Sequence, residues 1–100
     1  MVKHIILWTL KDEFSDSEKA KIISEMKEAL EGLIGKIPGL IDIKVNTNKL
    51  STSTADVMLD STFTDEQALK EYSVHPEHVA VADGKVRPFT KSRACLDYLV

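Results

Sequence analysis

Cysteine is nearly absent from this sequence. Cys95 is the one thiol among 100 residues, so no intramolecular disulfide can form. Its neighbours Ala94 and Leu96 suggest a strand, where the expected role is a small buried hydrophobe. Long apolar runs are missing too. Nothing approaches the roughly 20 residues of a membrane-spanning helix. The short apolar run after Lys3 and His4 ends at Lys11-Asp12-Glu13 and does not make a signal peptide. The cytoplasm is the expected location, with no membrane partner. Nor is there an excess of basic charge: the net charge is −3, with lysines and acids interspersed. A nucleic-acid partner is therefore not expected, and no aromatic and basic alternation suggests a single-strand binder.

Familiar catalytic signatures are also lacking. Gly32 and Gly35 fall at the end of a helical pattern and not after a strand, so they form no phosphate cradle. No dinucleotide fingerprint and no Ser-His-Asp arrangement is present, and no cofactor is expected. What is present is enough apolar content, 43%, to build one core in one domain spanning residues 1–100. A chain of this length buries only a modest fraction of its surface, which makes self-association a natural helper.

Residues 2–11 read as a strand with apolar residues on both faces, as in a strand covered on both sides. Alternation puts His4, Ile6, Trp8 and Leu10 on one face, and Lys3, Ile5, Leu7 and Thr9 on the other. Ser15-Asp16-Ser17-Glu18 is a capping box. The helix it opens carries Ile22, Ile23, Met26, Ala29, Leu30, Leu33 and Ile34 as an apolar stripe, with Gly35 as its stop. A second strand over 40–50 and a third over 55–63 are expected to pair as an antiparallel hairpin with its tip at 51–54. Thr64 to Gln67 has capping-box spacing for a second helix, which Pro76 interrupts. A short helical segment over 77–83 and a last strand over 93–100 complete the chain.

The order β-α-β-β-α-β predicts an α+β, ferredoxin-like protomer with a four-stranded antiparallel sheet and both helices on one face. The bare face, with Ile5, Leu7 and Met58, makes an apolar patch too large for a soluble monomer. A homodimer packed sheet to sheet is the expected remedy.

Tyr72-Ser-Val-His75-Pro76-Glu77-His78-Val79 holds two of the three histidines. His75-x-x-His78 is a conceivable pair of zinc ligands, but a proline lies between them and no further ligand falls at zinc-motif spacing. No metal site is assigned. Acid–base chemistry is the sharper reading. Histidine titrates near neutrality and suits proton abstraction, while a tyrosine hydroxyl can orient a carbonyl or stabilise an oxyanion. The bland alternative makes His75 a helix cap and ties His78 to an acid on the last strand.

Val2-Lys3-His4-Ile5, Tyr72-x-x-His75-Pro76-x-His78-Val79 and Asp97-Tyr98 together resemble the stress-responsive α/β-barrel (Dabb) domain, over essentially the whole chain. The resemblance implies a ferredoxin-like protomer in a dimeric α/β barrel. The family includes stress-induced plant proteins and a plant polyketide cyclase that closes a ring by intramolecular aldol chemistry. Carried over, His78 is the catalytic base and Tyr72 the orienting residue, with His4 lining the same pocket. Ile6, Trp8, Ile22, Met26, Val57 and Asp97 complete the expected lining, Asp97 as partner of the His78 imidazole. Trp8, Val57 and the aliphatic Ile22 and Met26 differ from that cyclase's pocket, so its substrate is not implied. The expected ligand is a small hydrophobic or aromatic metabolite. A non-enzymatic stress-related structural protein and a cofactor-free monooxygenase-like barrel are the alternatives.

Overall fold

The computed structural model describes residues 1–100. Its elements run β1 (Val2–Leu10), α1 (Asp16–Glu31), β2 (Leu40–Asn46), β3 (Val57–Phe63), α2 (Glu66–Val74), α3 (Pro76–Val81) and β4 (Thr90–Leu99). A π-helical turn (Ala82–Val86) and a 3₁₀ turn (Arg87–Phe89) join α3 to β4. The four strands form one sheet in the order β2-β3-β1-β4, every neighbour pair antiparallel. This is the ferredoxin-like plan.

Strand parity places the core. Val2, His4, Ile6, Trp8 and Leu10 of β1 are all buried, as are Val57, Leu59, Ser61 and Phe63 of β3. Ile22, Met26 and Leu30 of α1 pack onto that face, as do Ala68 and Tyr72 of α2. Ser15 caps α1 as its sequence predicts: its hydroxyl accepts the Glu18 N–H at 3.2 Å, and Glu18 Oε1 accepts the Ser15 N–H at 2.9 Å.

Several element limits differ from the sequence reading, the short helix running Pro76–Val81 and the last strand starting at Thr90 among them; four differences have a clear local reason. The first helix ends at Glu31, because Leu33, Ile34 and Lys36 donate to carbonyls three residues back and tighten the chain out of the α-helix. Gly35, at φ +81°, follows that tightened turn and does not end the helix itself. A bulge between Leu40 and Asp42 turns Ile41 out to 46% exposure, so the alternation starts only at Ile43. The second strand stops at Asn46 and the third starts at Val57, leaving a longer connection than a tight hairpin. Asp56 anchors its end: the buried carboxylate accepts the Leu10 N–H at 2.7 Å and pairs with Lys49. The second helix is capped by Asp65, whose Oδ1 accepts the Ala68 N–H at 2.8 Å; the Thr64 N–H instead donates to the Gly39 carbonyl at 3.0 Å. Gly39 cannot carry a side chain there, since a Cβ would lie 2.5 Å from Ala68 Cβ.

The two faces of the sheet are unequal. On the uncovered face, Leu7 lies opposite Met58 and Ala94, and Ile5 opposite Leu96. Leu7, Leu96 and Tyr98 are between 41% and 62% exposed. Lys3 and Asp60 form an ion pair on the same face at 2.6 Å. The helices also leave the edge strand β4 bare, and every residue from Lys91 to Val100 is exposed. Cys95 is therefore exposed and not the buried hydrophobe its neighbours suggested.

Candidate functional site

Pro76 shapes the site. It ends α2 at Val74, holds His75 in an extended conformation (ψ 133°), and restarts the chain as α3. His75 is a cap: its Nδ1 accepts the Glu77 N–H at 3.1 Å and its carbonyl accepts the Val79 N–H at 2.9 Å. The bend brings His78 back onto Tyr72, with ring centroids 4.2 Å apart at 37°. Tyr72 in turn meets Phe63 at 4.9 Å and His4 at 6.1 Å, both edge to face.

Two polar atoms in this stack are buried without a partner: the Tyr72 hydroxyl and His78 Nδ1. Orphaned buried groups cost stability, and they concentrate where a ligand completes them. Burial pushes the Tyr72 hydroxyl well above the ordinary tyrosine value, so it stays a proton donor. Burial also holds the His78 imidazole below the ordinary 6.5; the nearby Ser73 main chain opposes this, and Arg87, His4 and Arg93 around it reinforce it. His78 is thus neutral at pH 7, with a nitrogen lone pair to offer.

Tyr72 and His78 line one cavity of about 100 Å³, with Ile6 and Trp8 of β1, Leu30, Leu59, Ala82, Val86 and Arg87, and Thr90 and Arg93 of β4. Ile22 and Met26 lie in the packed core, 8% and 0% exposed, and do not line it. Val57, opposite Trp8 on β3, does not line it either. His4 and Asp97 lie elsewhere, in an open cleft of about 590 Å³ between α2 and β4. The β1–β4 register sets Asp97 directly across from His4, and its carboxylate bonds His4 Nδ1. Asp97 is therefore the partner of His4 and not of His78, and no last-strand acid ties His78.

Arg87, Arg93 and Cys95 are the neighbours that the sequence reading left out. Arg93 borders both the cavity and the cleft. It shares strand parity with Cys95 and Asp97, a signal that pairing β4 with β1 would have exposed. Arg87 follows the π-helical turn and carried no such signal. Partial desolvation by its neighbours raises the exposed Cys95 thiol above its usual value, with the Asp97 carboxylate adding to the effect, so it is not a poised nucleophile.

Sheet order, helix placement and the tyrosine–histidine stack define a ferredoxin-like protomer with a small buried site at the helix-covered face. A model of the family described as the stress responsive A/B barrel domain, Dabb, matches residues 2–100, and the chain belongs to that family. Olivetolic acid cyclase of Cannabis sativa is 28% identical over 100 residues, covering 97% of this chain and 94% of the cyclase. A dimeric ferredoxin-like protein of unknown function from Bacteroides fragilis is 38% identical; the match covers 97% of this chain and 93% of that one, with a TM-score of 0.90. A Dabb-family protein from Mesorhizobium loti has the same fold at 20% identity and a TM-score of 0.75, covering 99% and 95% of the two chains. No helix is long and apolar enough to cross a membrane.

Proposed function

We propose that the protein is a homodimer that binds a small hydrophobic or aromatic carbonyl compound and abstracts a proton alpha to the carbonyl. His78 is the base and Tyr72 orients the oxygen. The observation that carries this reading is the pair of unpartnered polar atoms, Tyr72 hydroxyl and His78 Nδ1, on two residues that line one small cavity of mixed apolar and polar walls. The neutral imidazole takes the proton, and the enolate oxygen accepts a hydrogen bond from the phenol. In an aldol closure the enolate carbon attacks a second carbonyl of the same molecule, and the new alkoxide recovers the proton from His78. The likeness to olivetolic acid cyclase supports this class of step without naming the substrate.

The cavity, about 100 Å³, is smaller than the roughly 300–1,000 Å³ of ordinary ligand sites. It holds the reacting end of a ligand; the rest enters past Ala82, Val86 and Arg87, on a turn whose Gly84 has open space around it. Self-association through the bare sheet face is supported by the exposed Leu7 and Leu96 and by the dimeric Bacteroides fragilis relative.

A linear poly-β-ketone thioester incubated in heavy water tests the chemistry. Wild-type protein should accelerate deuterium uptake at the alpha carbon and ring closure, and His78→Ala should abolish both while keeping ligand affinity. Unchanged exchange in His78→Ala sinks the proposal. A monomer at micromolar concentration by sedimentation would refute the dimer.

A further inference from the structure

A second cluster of reactive side chains stands apart from His78, on the bare edge of the sheet. Cross-strand pairing puts Asp97 opposite His4 and Cys95 opposite Ile6, so His4, Cys95 and Asp97 leave the sheet on one face. One donor atom from each lies within 4.8 Å of the others. Cys95 Sγ is 3.8 Å from His4 Nδ1 and 3.5 Å from Asp97 Oδ1. We propose that His4, Cys95 and Asp97 form a three-ligand site for a borderline divalent transition ion, zinc(II) foremost, with its fourth position open to the cleft.

The geometry favours that ion class. Zinc bonds of about 2.3 Å to sulfur and about 2.0–2.1 Å to nitrogen or oxygen, at tetrahedral angles, set neighbouring donor atoms about 3.4–3.6 Å apart. Both edges from sulfur are already close to that spacing. The third edge is closed by the hydrogen bond between His4 Nδ1 and Asp97, and an ion replaces that bond by opening it about 1 Å. Asp97 can move, since its side chain is 44% exposed on an edge strand. His4 supplies the fixed point: its side chain is 9% exposed, and its ring is held edge-on by Phe63 and Tyr72. Sulfur and imidazole donors disfavour magnesium and calcium, which take oxygen donors, and a borderline divalent ion would displace the Cys95 thiol proton on binding. Arg93, Lys70, Ser73 and Glu66 border the cleft, so the open position faces polar groups of both signs suited to a bound water. None of the three ligands is His78, and the site does not depend on the base proposed above.

Cobalt(II) titration of the full-length protein, read by absorbance and followed by zinc competition, decides the matter. The expected result is one cobalt per chain, with four-coordinate visible bands and a thiolate charge-transfer band, all displaced by zinc. Cys95→Ser should lose the charge-transfer band and weaken binding at least about tenfold, and Asp97→Asn should weaken it by about as much. Both changes lie on the exposed strand, and circular dichroism checks that the fold persists. His4→Gln is not needed for the decision, so its burial does not blunt the test. A six-coordinate spectrum, one ion per two chains, no saturation at micromolar cobalt, or wild-type binding in Cys95→Ser would each overturn the assignment.

Discussion

Two histidines touch Tyr72, and their surroundings are opposite. His78 sits on a six-residue helix against a cavity of about 100 Å³, its buried Nδ1 unpaired with any side chain and near the Ser73 main chain. His4 sits on the central strand at the rim of a cleft of about 590 Å³, with its Nδ1 held by a carboxylate. One ring sits in a small space of mixed walls with no side-chain partner; the other is tethered to a carboxylate at a wet edge. What each can do follows from that contrast and not from residue type. An untethered, desolvated imidazole is a base, whereas a tethered one is a positioned donor or ligand.

Tyr72 separates the two environments, so removing it should have the largest effect. Tyr72→Ala leaves a cavity behind a side chain that is 1% exposed. A loss of about 3–5 kcal/mol is expected. At about 4–8 °C per kcal/mol, the melting temperature should fall by more than ~10 °C. A drop of only ~2 °C would mean that the ring is not the wall described. Tyr72→Phe sharpens the contrast by keeping the wall and deleting only the orphaned hydroxyl. Leaving a buried hydroxyl unpaired costs about 1–3 kcal/mol, so this variant should be as stable as wild type or more so, while turnover of the polyketone is lost. A destabilised Tyr72→Phe would show that the hydroxyl has a structural partner after all.

How far the sequence foretells this arrangement differs between the two sides. Strand parity alone puts His4, Ile6 and Trp8 on one face, and the Tyr72–Pro76–His78 spacing predicts the bend, because both rest on local periodicity. The capping role of His75 is legible for the same reason. The Asp97 partner is not, because register between β1 and β4 decides it, and His4 and Asp97 are 93 residues apart in the chain. The Cys95 cluster was hidden by a different failure. Apolar neighbours imply burial only if a helix covers the strand, and here the helices stop short of β4. The expected pocket lining failed in the same way at Ile22, Met26 and Val57: facing the core is a matter of parity, but reaching the one gap in it depends on packing.

Acid should test the His78 side of the comparison. The folded His78 holds its proton less tightly than the ordinary 6.5, so the unfolded chain binds more protons as pH falls below that value. Stability should therefore decline as pH drops through 6.5 and level off below the folded value. The acid limb of turnover should lie below 6.5 as well, since the neutral ring is the base. Denaturant midpoints across pH 4–8, at one protein concentration, check this; ~4 to 8 spans the titration range of histidine. In His78→Gln the decline attributable to this residue should vanish. If it persists unchanged, another group is responsible and His78 is not the desolvated ring.

The smallest effect is expected at the tether. Asp97→Asn weakens the hydrogen bond to His4 Nδ1 on its 44% exposed carboxylate side, a contact worth about 1 kcal/mol. The melting temperature should shift by no more than a few degrees, about 4–8 °C per kcal/mol setting the ceiling. The acid limb of turnover should move little, because Asp97 bonds His4 and acts on His78 only through His4, a lesser cause there than burial. The variant therefore tests whether the two sides of Tyr72 are independent. A large change in the acid limb would mean that the tether is felt through the Tyr72 ring and that the two histidines work as one unit. A loss of several kcal/mol would mean that β4 is covered in solution, which a sheet-to-sheet dimer wrapping its edge could do. In that case the open cleft belongs to the single chain alone, and the difference between the two histidines narrows to which of them still has a free nitrogen.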